Sequence, residues 1–122
     1  MNHRPRIPIV EDQEVERSAL ERVLRVAQDD VATASSAEEA LDWRDQDIDA
    51  VISDLRMGGA TGIDLLMQWR ELRQDTPFFL ATAFGDVDSA VRAMKLGATD
   101  YLTKPLDPPK LLSSLRNALS RP

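Results

Sequence analysis

The chain alternates five times between a short apolar run and a longer amphipathic stretch. The apolar runs are residues 7–10, 31–34, 48–54, 78–81 and 101–103. In the stretches that follow them, apolar residues recur every three or four positions, which predicts amphipathic helices. Strands that alternate with helices are typical of a mostly parallel sheet covered by helices on both faces. The alternation therefore predicts an α/β fold with five strands and five helices.

Capping residues mark where the helices are expected to begin and end. Ser36, with Glu39 three residues later, predicts a capping box at the start of a short second helix that continues through Trp43. Gly97 is expected to end the fourth helix, because glycine accepts the left-handed conformation that is common at helix C-termini. The N-caps expected for the fourth and fifth helices are Asp86 and Asp107, with Pro108 in the first turn of the fifth.

The helical spacing also predicts which side chains face the core and which face water. The expected inward residues are Val15, Ala19, Val23, Leu24 and Ala27 in the first helix, Ile63, Leu66, Trp69 and Leu72 in the third, Val87, Ala90, Val91 and Met94 in the fourth, and Leu111, Leu112, Leu115 and Leu119 in the fifth. The charged residues expected on solvated faces include Glu16, Arg17, Glu71 and Arg73.

Length and composition exclude several functional classes. At 122 residues the chain is expected to be one domain, 1–122, with a core at about 6–120. It has no cysteine and one histidine, which excludes thiol catalysis, cysteine-ligated zinc and multi-histidine metal sites. With 15 basic and 21 acidic residues its formal charge is −6, which argues against nucleic-acid binding. No apolar run approaches the ~20 residues of a membrane span, so a cytoplasmic protein or fragment without membrane contact is expected.

Polar residues follow the ends of four of the five predicted strands. In an open α/β sheet, ligands bind beyond the carboxyl ends of the strands. The residues expected there are Glu11 and Asp12 after the first strand, Asp54 at the end of the third, Thr82 after the fourth and Lys104 after the fifth. Three carboxylates at one rim repel one another unless one is protonated or a cation neutralises them. A magnesium ion, which is a hard cation with oxygen ligands, fits this set.

The same rim suggests phosphoryl chemistry at a carboxylate. The phosphate-binding patterns GxxxxGK[ST] and GxGxxG are both absent, which disfavours nucleotide binding by those motifs. If a cation neutralises the carboxylates, Lys104 would be free to balance a further anion. The carboxylates and the lysine together suggest that a phosphoryl group comes to a carboxylate, with Asp54 as the nucleophile.

Three segments carry a family resemblance. They resemble the receiver domain of bacterial two-component response regulators. In chain order the segments are IVED, ISDLRMGGATGIDLL and ATAFGDVDSAVRAMKLGATDYLTKPLD. The run TAFGDVDSAVRAMKLGATDYLTKP is most similar to receivers attached to nitrogen-regulator-type transcriptional activators. The resemblance implies a flavodoxin-like, doubly wound sheet of five parallel strands in the order 2-1-3-4-5, with five helices.

The resemblance also implies roles for individual residues. Asp54 would accept a phosphoryl group from a phosphohistidine on a sensor histidine kinase. The magnesium ligands would be Glu11 through water, Asp12, Asp54 and the backbone carbonyl of Arg56. Lys104 would pair with phosphoryl oxygens, and the bond between Lys104 and Pro105 matches a step that is often cis in the family.

A conformational switch is implied at two residues. Thr82 would hydrogen-bond a phosphoryl oxygen and so move, and Tyr101 would rotate inward into the vacated space. A core aromatic role is an equally weighted alternative for Tyr101. The surface formed by the fourth helix, the fifth strand and the fifth helix would then change, and so control an output domain, a phosphorylation-dependent homodimer or another partner.

Two positions depart from the family's pattern. Pro8 lies inside the first strand, where it lacks a ladder donor, so the strand either starts at Ile9 or tolerates a bulge or local distortion. Gly58 stands where a proline is common in the family, which predicts a more mobile loop after Asp54.

Two rival functions stay open beside the leading hypothesis of a phosphoacceptor domain in transcription regulation. One is a receiver-like interaction scaffold that needs no phosphate, which Pro8 and Gly58 keep open although the anchor residues are intact. The other is a magnesium-dependent phosphatase or phosphotransferase enzyme. The sequence disfavours that enzyme, because Arg56 stands where a second aspartate is usual and there is no room for a cap domain.

Overall fold

Five strands and five helices alternate along the chain. The structure, a computed structural model, describes residues 4–27, 29–57, 61–83 and 87–120. The strands are β1 (Arg6–Val10), β2 (Asp30–Ala34), β3 (Val51–Asp54), β4 (Phe78–Thr82) and β5 (Asp100–Thr103). The helices are α1 (Glu14–Val26), α2 (Ala37–Leu41), α3 (Gly62–Leu72), α4 (Val87–Lys95) and α5 (Pro108–Leu119). The predicted alternation is confirmed, although β3 starts later than the apolar run suggested.

All five strands pair in parallel, in the order β2-β1-β3-β4-β5. This order confirms the one implied by the family resemblance. Asp54, the last residue of β3, lies opposite Ala81 of β4, and Thr82 lies opposite Thr103 of β5. Because parallel strands end at the same edge, this register gathers the predicted site residues at one rim, beside the point where the strand order reverses between β1 and β3.

Pro8 lies within β1, which begins two residues earlier. Pro8 pairs with Ala32 of β2, whereas the register with β3 begins one residue later, with Ile9 opposite Ile52. The expectation that β1 starts at Ile9 is therefore wrong. The shortened pairing with β3 agrees with the alternative of a local distortion, because a proline offers no N–H to a neighbouring strand.

Helices cover both faces of the sheet with separate apolar clusters. On one face, α2, α3 and α4 pack on a cluster that includes Trp69 and Phe78, whose rings meet edge to face with centroids 6.3 Å apart. On the other face, α1 and α5 contribute Leu24, Leu111 and Leu115. The leucine face predicted for α5 is thus confirmed, with Leu111 and Leu115 buried and Leu112 and Leu119 partly buried against the same cluster. Among the described residues, no helix has the length and apolar character needed to cross a membrane.

The inward faces predicted for α1, α3 and α4 are partly wrong. Val15 and Ala19 in α1 and Leu72 at the end of α3 are exposed. In α4 the exposed fractions are 78% for Val87 and 48% for both Val91 and Met94. The residue that α4 buries is Ala93, whose small side chain lets the helix lie close to the sheet. The large apolar side chains of α4 therefore lie on the outer surface.

The second and third helices begin with different caps. The Oγ atom of Ser36 accepts a hydrogen bond from the backbone N–H of Glu39, as predicted. The Glu39 carboxylate, however, accepts from the backbone N–H and the hydroxyl of Ser35, so the capping box is not reciprocal. A reciprocal box occurs instead at the start of α3, between Thr61 and Asp64.

The remaining capping predictions have mixed outcomes. Gly97 follows α4 with a φ of 100°, which confirms it as the residue that ends the helix. Asp107 occupies the N-cap of α5 and Pro108 begins the helix, but within the described chain the Asp107 side chain makes no capping hydrogen bond. Asp86 and Gly58 lie outside the described residues.

Candidate functional site

Three carboxylates from two neighbouring strands meet at the carboxyl end of the sheet. Glu11 and Asp12 directly follow β1, and Asp54 is the last residue of β3. One carboxylate oxygen from each lies within 4.8 Å of the others. Glu11 and Asp54 are buried, at 4% and 8% exposure. The structure thus brings together the three acidic residues that the sequence placed at this rim.

Backbone hydrogen bonds fix the positions from which these side chains project. The N–H of Glu11 donates to the carbonyl oxygen of Ala34 at 3.0 Å, which extends the contact between β1 and β2 past the end of β1. The N–H of Leu55 donates to the carbonyl oxygen of Ala81 at 2.8 Å. The sheet therefore fixes the backbone at Glu11 and Asp54, from which the two carboxylates project.

The ammonium group of Lys104 lies among carboxylates. Its Nζ atom is 2.5 Å from Oε1 of Glu11, 2.8 Å from Oε2 of Glu16 and 3.1 Å from Oδ1 of Asp54. The backbone N–H of Lys104 donates to the carbonyl oxygen of Thr82 at 2.8 Å, which fixes the residue after β5 against the end of β4. The Lys104–Pro105 bond is cis, as the resemblance implied. Lys104 is thus engaged by the carboxylates themselves, and its release toward a further anion once a cation neutralises them stays a prediction.

Burial and charge shift the ionisation of the site in opposite directions. Burial raises the pKa of Asp54, and it raises the pKa of Glu11 to about 7 despite the hydrogen bond from Lys104. Burial alone would lower the pKa of Lys104, but hydrogen bonds to Glu11, Glu16 and Asp54 raise it above its usual value. The Lys104 ammonium lowers the pKa of Glu16. With more carboxylates than ammonium groups, the site favours a cation.

The two residues predicted to form a switch lie on adjacent strands. Thr82 ends β4 and is 1% exposed. Tyr101 lies in β5 opposite Leu80, and its ring packs partly buried against the cluster beneath α3. Its hydroxyl oxygen is buried as well. The partly buried ring agrees with the core aromatic role of Tyr101, whereas its rotation as part of a switch stays a prediction.

Two charged residues of α1 predicted to lie on a solvated face also contact the rim: Glu16 is exposed as predicted, whereas Arg17 is only partly exposed. Glu16 accepts a hydrogen bond from Lys104, and Nη1 of Arg17 donates to the backbone carbonyl of Glu11 at 2.8 Å. Both residues lie at the start of α1, which begins three residues after Glu11. That closeness to the rim was the available signal for their involvement.

A third charged residue, at the end of α3, also departs from the solvated role predicted for it. Nε of Arg73 donates to the backbone carbonyl of Arg44 at 3.0 Å. A second nitrogen of the same guanidinium, Nη2, donates to the carbonyl oxygen of Gln46 at 3.3 Å. Arg73 therefore ties the end of α3 to the segment between α2 and β3, away from the candidate site.

Comparison with known sequences identifies the family. Residues 7–116 match the family described as the response regulator receiver domain. The chain is 38% identical over 115 residues to the transcriptional regulatory protein ZraR of Escherichia coli strain K12, covering 93% of this chain and 26% of that protein. It is 40% identical over 116 residues to the C4-dicarboxylate transport transcriptional regulatory protein DctD of Pseudomonas aeruginosa, covering 91% of this chain and 24% of that protein. The chain thus spans about a quarter of the length of these curated relatives.

Solved structures agree with the sequence comparison. A response regulator receiver protein from Pseudomonas putida matches with a TM-score of 0.89 at 35% identity, covering 96% of this chain and 99% of that chain. The solution structure of the beryllofluoride-activated NtrC4 receiver domain dimer matches with a TM-score of 0.87 at 27% identity, covering 93% and 95%. These neighbours agree with the family match, and the two curated relatives, both transcriptional regulatory proteins, agree with the resemblance to receivers of transcriptional activators. Because the family match extends over most of the chain and the sheet has the expected order, the chain belongs to the response regulator receiver domain family.

Proposed function

We propose that Asp54 accepts a phosphoryl group and that this event is the signal the domain transmits. The observation that carries the proposal is the position of the Lys104 ammonium, 3.1 Å from Oδ1 of Asp54 at the carboxyl end of the sheet. A buried carboxylate beside a fixed ammonium group is suited to phosphoryl transfer, which depends mainly on positioning and charge neutralisation.

The transfer requires little covalent chemistry from the protein. A carboxylate oxygen of Asp54 would attack the phosphorus of a phosphohistidine on a sensor histidine kinase. The new oxygen–phosphorus bond forms as the nitrogen–phosphorus bond breaks, and the imidazole leaves as a neutral ring after taking up a proton. The acyl phosphate adds negative charge to the rim, which Lys104 is placed to offset. Hydrolysis of this acyl phosphate would return Asp54 to its starting form, so the chain acts on itself and not on an external substrate.

The acidic cluster suits a magnesium ion. Its ligand atoms are carboxylate oxygens of Glu11, Asp12 and Asp54, which are the hard donors that magnesium prefers. The backbone carbonyl of Arg56 is proposed as a further ligand because it lies two residues after Asp54. When bound, the ion would supply positive charge to the transferred group. Its presence would also keep Asp54 ionised although burial raises the pKa of that carboxyl.

The signal is proposed to leave the site through Thr82 and Tyr101. Thr82 would hydrogen-bond a phosphoryl oxygen and so move, and the partly buried Tyr101 ring would rotate further inward into the space that Thr82 vacates. The surface of α4, β5 and α5 exposes Val91 and Met94, which suits a surface that exchanges partners. NtrC4 forms a receiver dimer in its activated form, and we propose the same for this chain, in the cytoplasm and ahead of an output domain for transcription.

A mass measurement tests the phosphoacceptor role. The protein is incubated with magnesium and acetyl phosphate, and its intact mass is compared with that of Asp54→Asn. A labile adduct of one phosphoryl group is expected on the wild type and not on the variant. The absence of an adduct, together with no response to beryllofluoride, would favour the phosphate-independent scaffold. Repeated turnover of external phosphate esters would instead favour the enzyme.

Light scattering after size-exclusion chromatography tests the proposed dimer. Beryllofluoride is expected to shift the wild type from monomer to dimer, and Val91→Asp should block that shift by placing a charge on the exposed face of α4. The matched control is Ser18→Asp, an exposed position on α1 at the opposite face of the sheet. Dimerisation that survives Val91→Asp would move the interface away from α4.

A further inference from the structure

The ammonium group of Lys104 has three N–H donors, and three carboxylates lie within hydrogen-bonding distance of it. Two of them, Glu11 and Asp54, belong to the acidic cluster. The third is Glu16, whose Oε2 atom is 2.8 Å from Nζ. Lys104 therefore reaches a group that the phosphoryl chemistry does not require.

Glu16 differs from the other two partners in place and in exposure. It lies in the first turn of α1, and its side chain is 51% exposed, compared with 5% for Glu11 and 9% for Asp54. The contact joins residues 88 positions apart, on α1 and directly after β5. If Lys104 breaks its hydrogen bond to one carboxylate, the bond to Glu16 costs the least free energy to break, because the Glu16 side chain can rotate and be solvated.

We infer that Glu16 is a positioning residue that competes with the phosphoryl group for Lys104 and holds the lysine toward α1 until Asp54 is phosphorylated. The inference rests on the proposed phosphoacceptor role of Asp54. A phosphoryl group carries about −1.5 to −2 charges and several strong acceptor oxygens. It would therefore compete with the carboxylates for the N–H donors of Lys104. The N–H of Lys104 that donates to Glu16 is the one that can be redirected to the phosphoryl group at the lowest cost in free energy.

The competition has two consequences. Glu16 stabilises the unphosphorylated form, because a charge-assisted hydrogen bond is lost when Lys104 turns to the phosphoryl group. It also makes α1 sensitive to the state of Asp54, since the loss of this bond removes a direct link between α1 and the segment after β5. The hydrogen bond from Lys104 lowers the pKa of Glu16, in keeping with an ionised carboxylate in contact with the ammonium.

Charge-conserving and charge-removing variants separate this role from a general electrostatic effect. Glu16→Asp keeps the charge but withdraws the carboxylate by one methylene, and Glu16→Gln keeps the length but removes the charge. The matched control is Glu14→Gln, which removes an exposed charge from the same turn of α1. Each variant is phosphorylated with acetyl phosphate and titrated with beryllofluoride. The mobility of the Lys104 side chain is measured by NMR relaxation in the unphosphorylated protein.

Both Glu16 variants are expected to raise the phosphorylation rate and the beryllofluoride affinity by roughly three- to tenfold, the range of a typical hydrogen bond, because solvent exposure weakens this ion pair. Both should increase the mobility of Lys104, whereas Glu14→Gln should change none of these quantities. In a Lys104→Met background, Glu16→Gln should no longer alter beryllofluoride affinity.

Three results would overturn the inference. Equal effects of Glu16→Gln and Glu14→Gln, with none from Glu16→Asp, would show that only net charge matters. Slower or unchanged phosphorylation in both Glu16 variants would show that no competition exists. A wild type that forms no adduct would overturn the proposed function and this inference together, whereas a phosphorylated wild type with insensitive Glu16 variants would overturn this inference alone.

Discussion

Gly62, the first residue of α3, packs so closely against the end of β3 that a Cβ atom at position 62 would overlap the carbonyl oxygen of Asp54. The same atom would lie 2.7 Å from Cδ2 of Leu80. The backbone N–H of Gly62 donates to the carbonyl oxygen of Leu55 at 2.9 Å, so the start of α3 is fixed against the chain that follows the proposed phosphoacceptor. Glycine at this position therefore permits the close approach of helix and strand at one wall of the site.

Gly62→Ala is expected to destabilise the fold by about 1–3 kcal/mol, the usual cost of overpacking. At an unstrained helical position the same change would be stabilising, because alanine reduces the entropy of the unfolded chain. Urea denaturation measures the difference, with the exposed α5 variant Ser113→Ala as a control that should stay within about 0.5 kcal/mol of the wild type. A Gly62→Ala protein as stable as the wild type would show that β3 and α3 can separate freely.

Magnesium is expected to raise the melting temperature, because a bound cation relieves repulsion among the carboxylates of Glu11, Asp12 and Asp54. Asp12→Asn should raise the melting temperature of the metal-free protein and reduce its response to magnesium. Glu71→Gln removes an exposed charge on α3 and serves as the control, which should respond like the wild type. An unchanged melting temperature at millimolar magnesium would argue against a metal site in the cluster.

Arg116→Ala is expected to cost about 1–3 kcal/mol of stability, because it leaves the carboxylate of Asp29 buried without its guanidinium partner. Nη2 of Arg116 lies 2.9 Å from both carboxylate oxygens of Asp29, and the Asp29 side chain is only 1% exposed. This contact joins α5 to the chain just before β2.

The matched control for that variant is Arg25→Ala, which breaks the exposed pair of Arg25 and Glu21 and should cost less than about 1 kcal/mol. Both variants are measured by urea denaturation, and the single variant Asp29→Asn with the double variant Asp29→Asn/Arg116→Ala completes the cycle that gives the coupling energy. Equal costs for Arg116→Ala and Arg25→Ala would show that the buried carboxylate finds another partner.

The meeting of Glu11, Asp12, Asp54 and Lys104 could be predicted from the sequence because it depends on chain topology alone. Residues that directly follow parallel strands reach the same edge of the sheet whatever the details of packing. The leucine face of α5 was predictable for a related reason. Leu111 and Leu115 are large and lie four residues apart, so the helical period and the burial of apolar surface agree.

The outward face of α4 and the role of Glu16 could not be predicted, for different physical reasons. A hydrophobic pattern predicts the apolar side of a helix, but it does not predict how near the helix lies to the sheet. In α4 the small Ala93 is buried, while Val91 stays exposed. The contact between Glu16 and Lys104 depends on two long side chains from distant elements, which no local pattern encodes. The requirement for glycine at position 62 could not be predicted either, because the clash that excludes a side chain there arises from tertiary packing.

The Glu11 carboxyl is expected to make the metal-free protein less stable as the pH rises through neutrality. Burial raises its pKa from 4.5 to about 7 in the folded state, so between these values the folded protein binds more protons than the unfolded chain. The stability associated with the neutral carboxyl is therefore present at low pH and is lost as the pH rises through the folded pKa. In EDTA, the advantage of Glu11→Gln over the wild type in unfolding free energy should grow by roughly 1–3 kcal/mol between about pH 5 and about pH 8. Glu14→Gln should give a curve parallel to that of the wild type, and an equally parallel curve for Glu11→Gln would show that Lys104 keeps Glu11 ionised throughout this range.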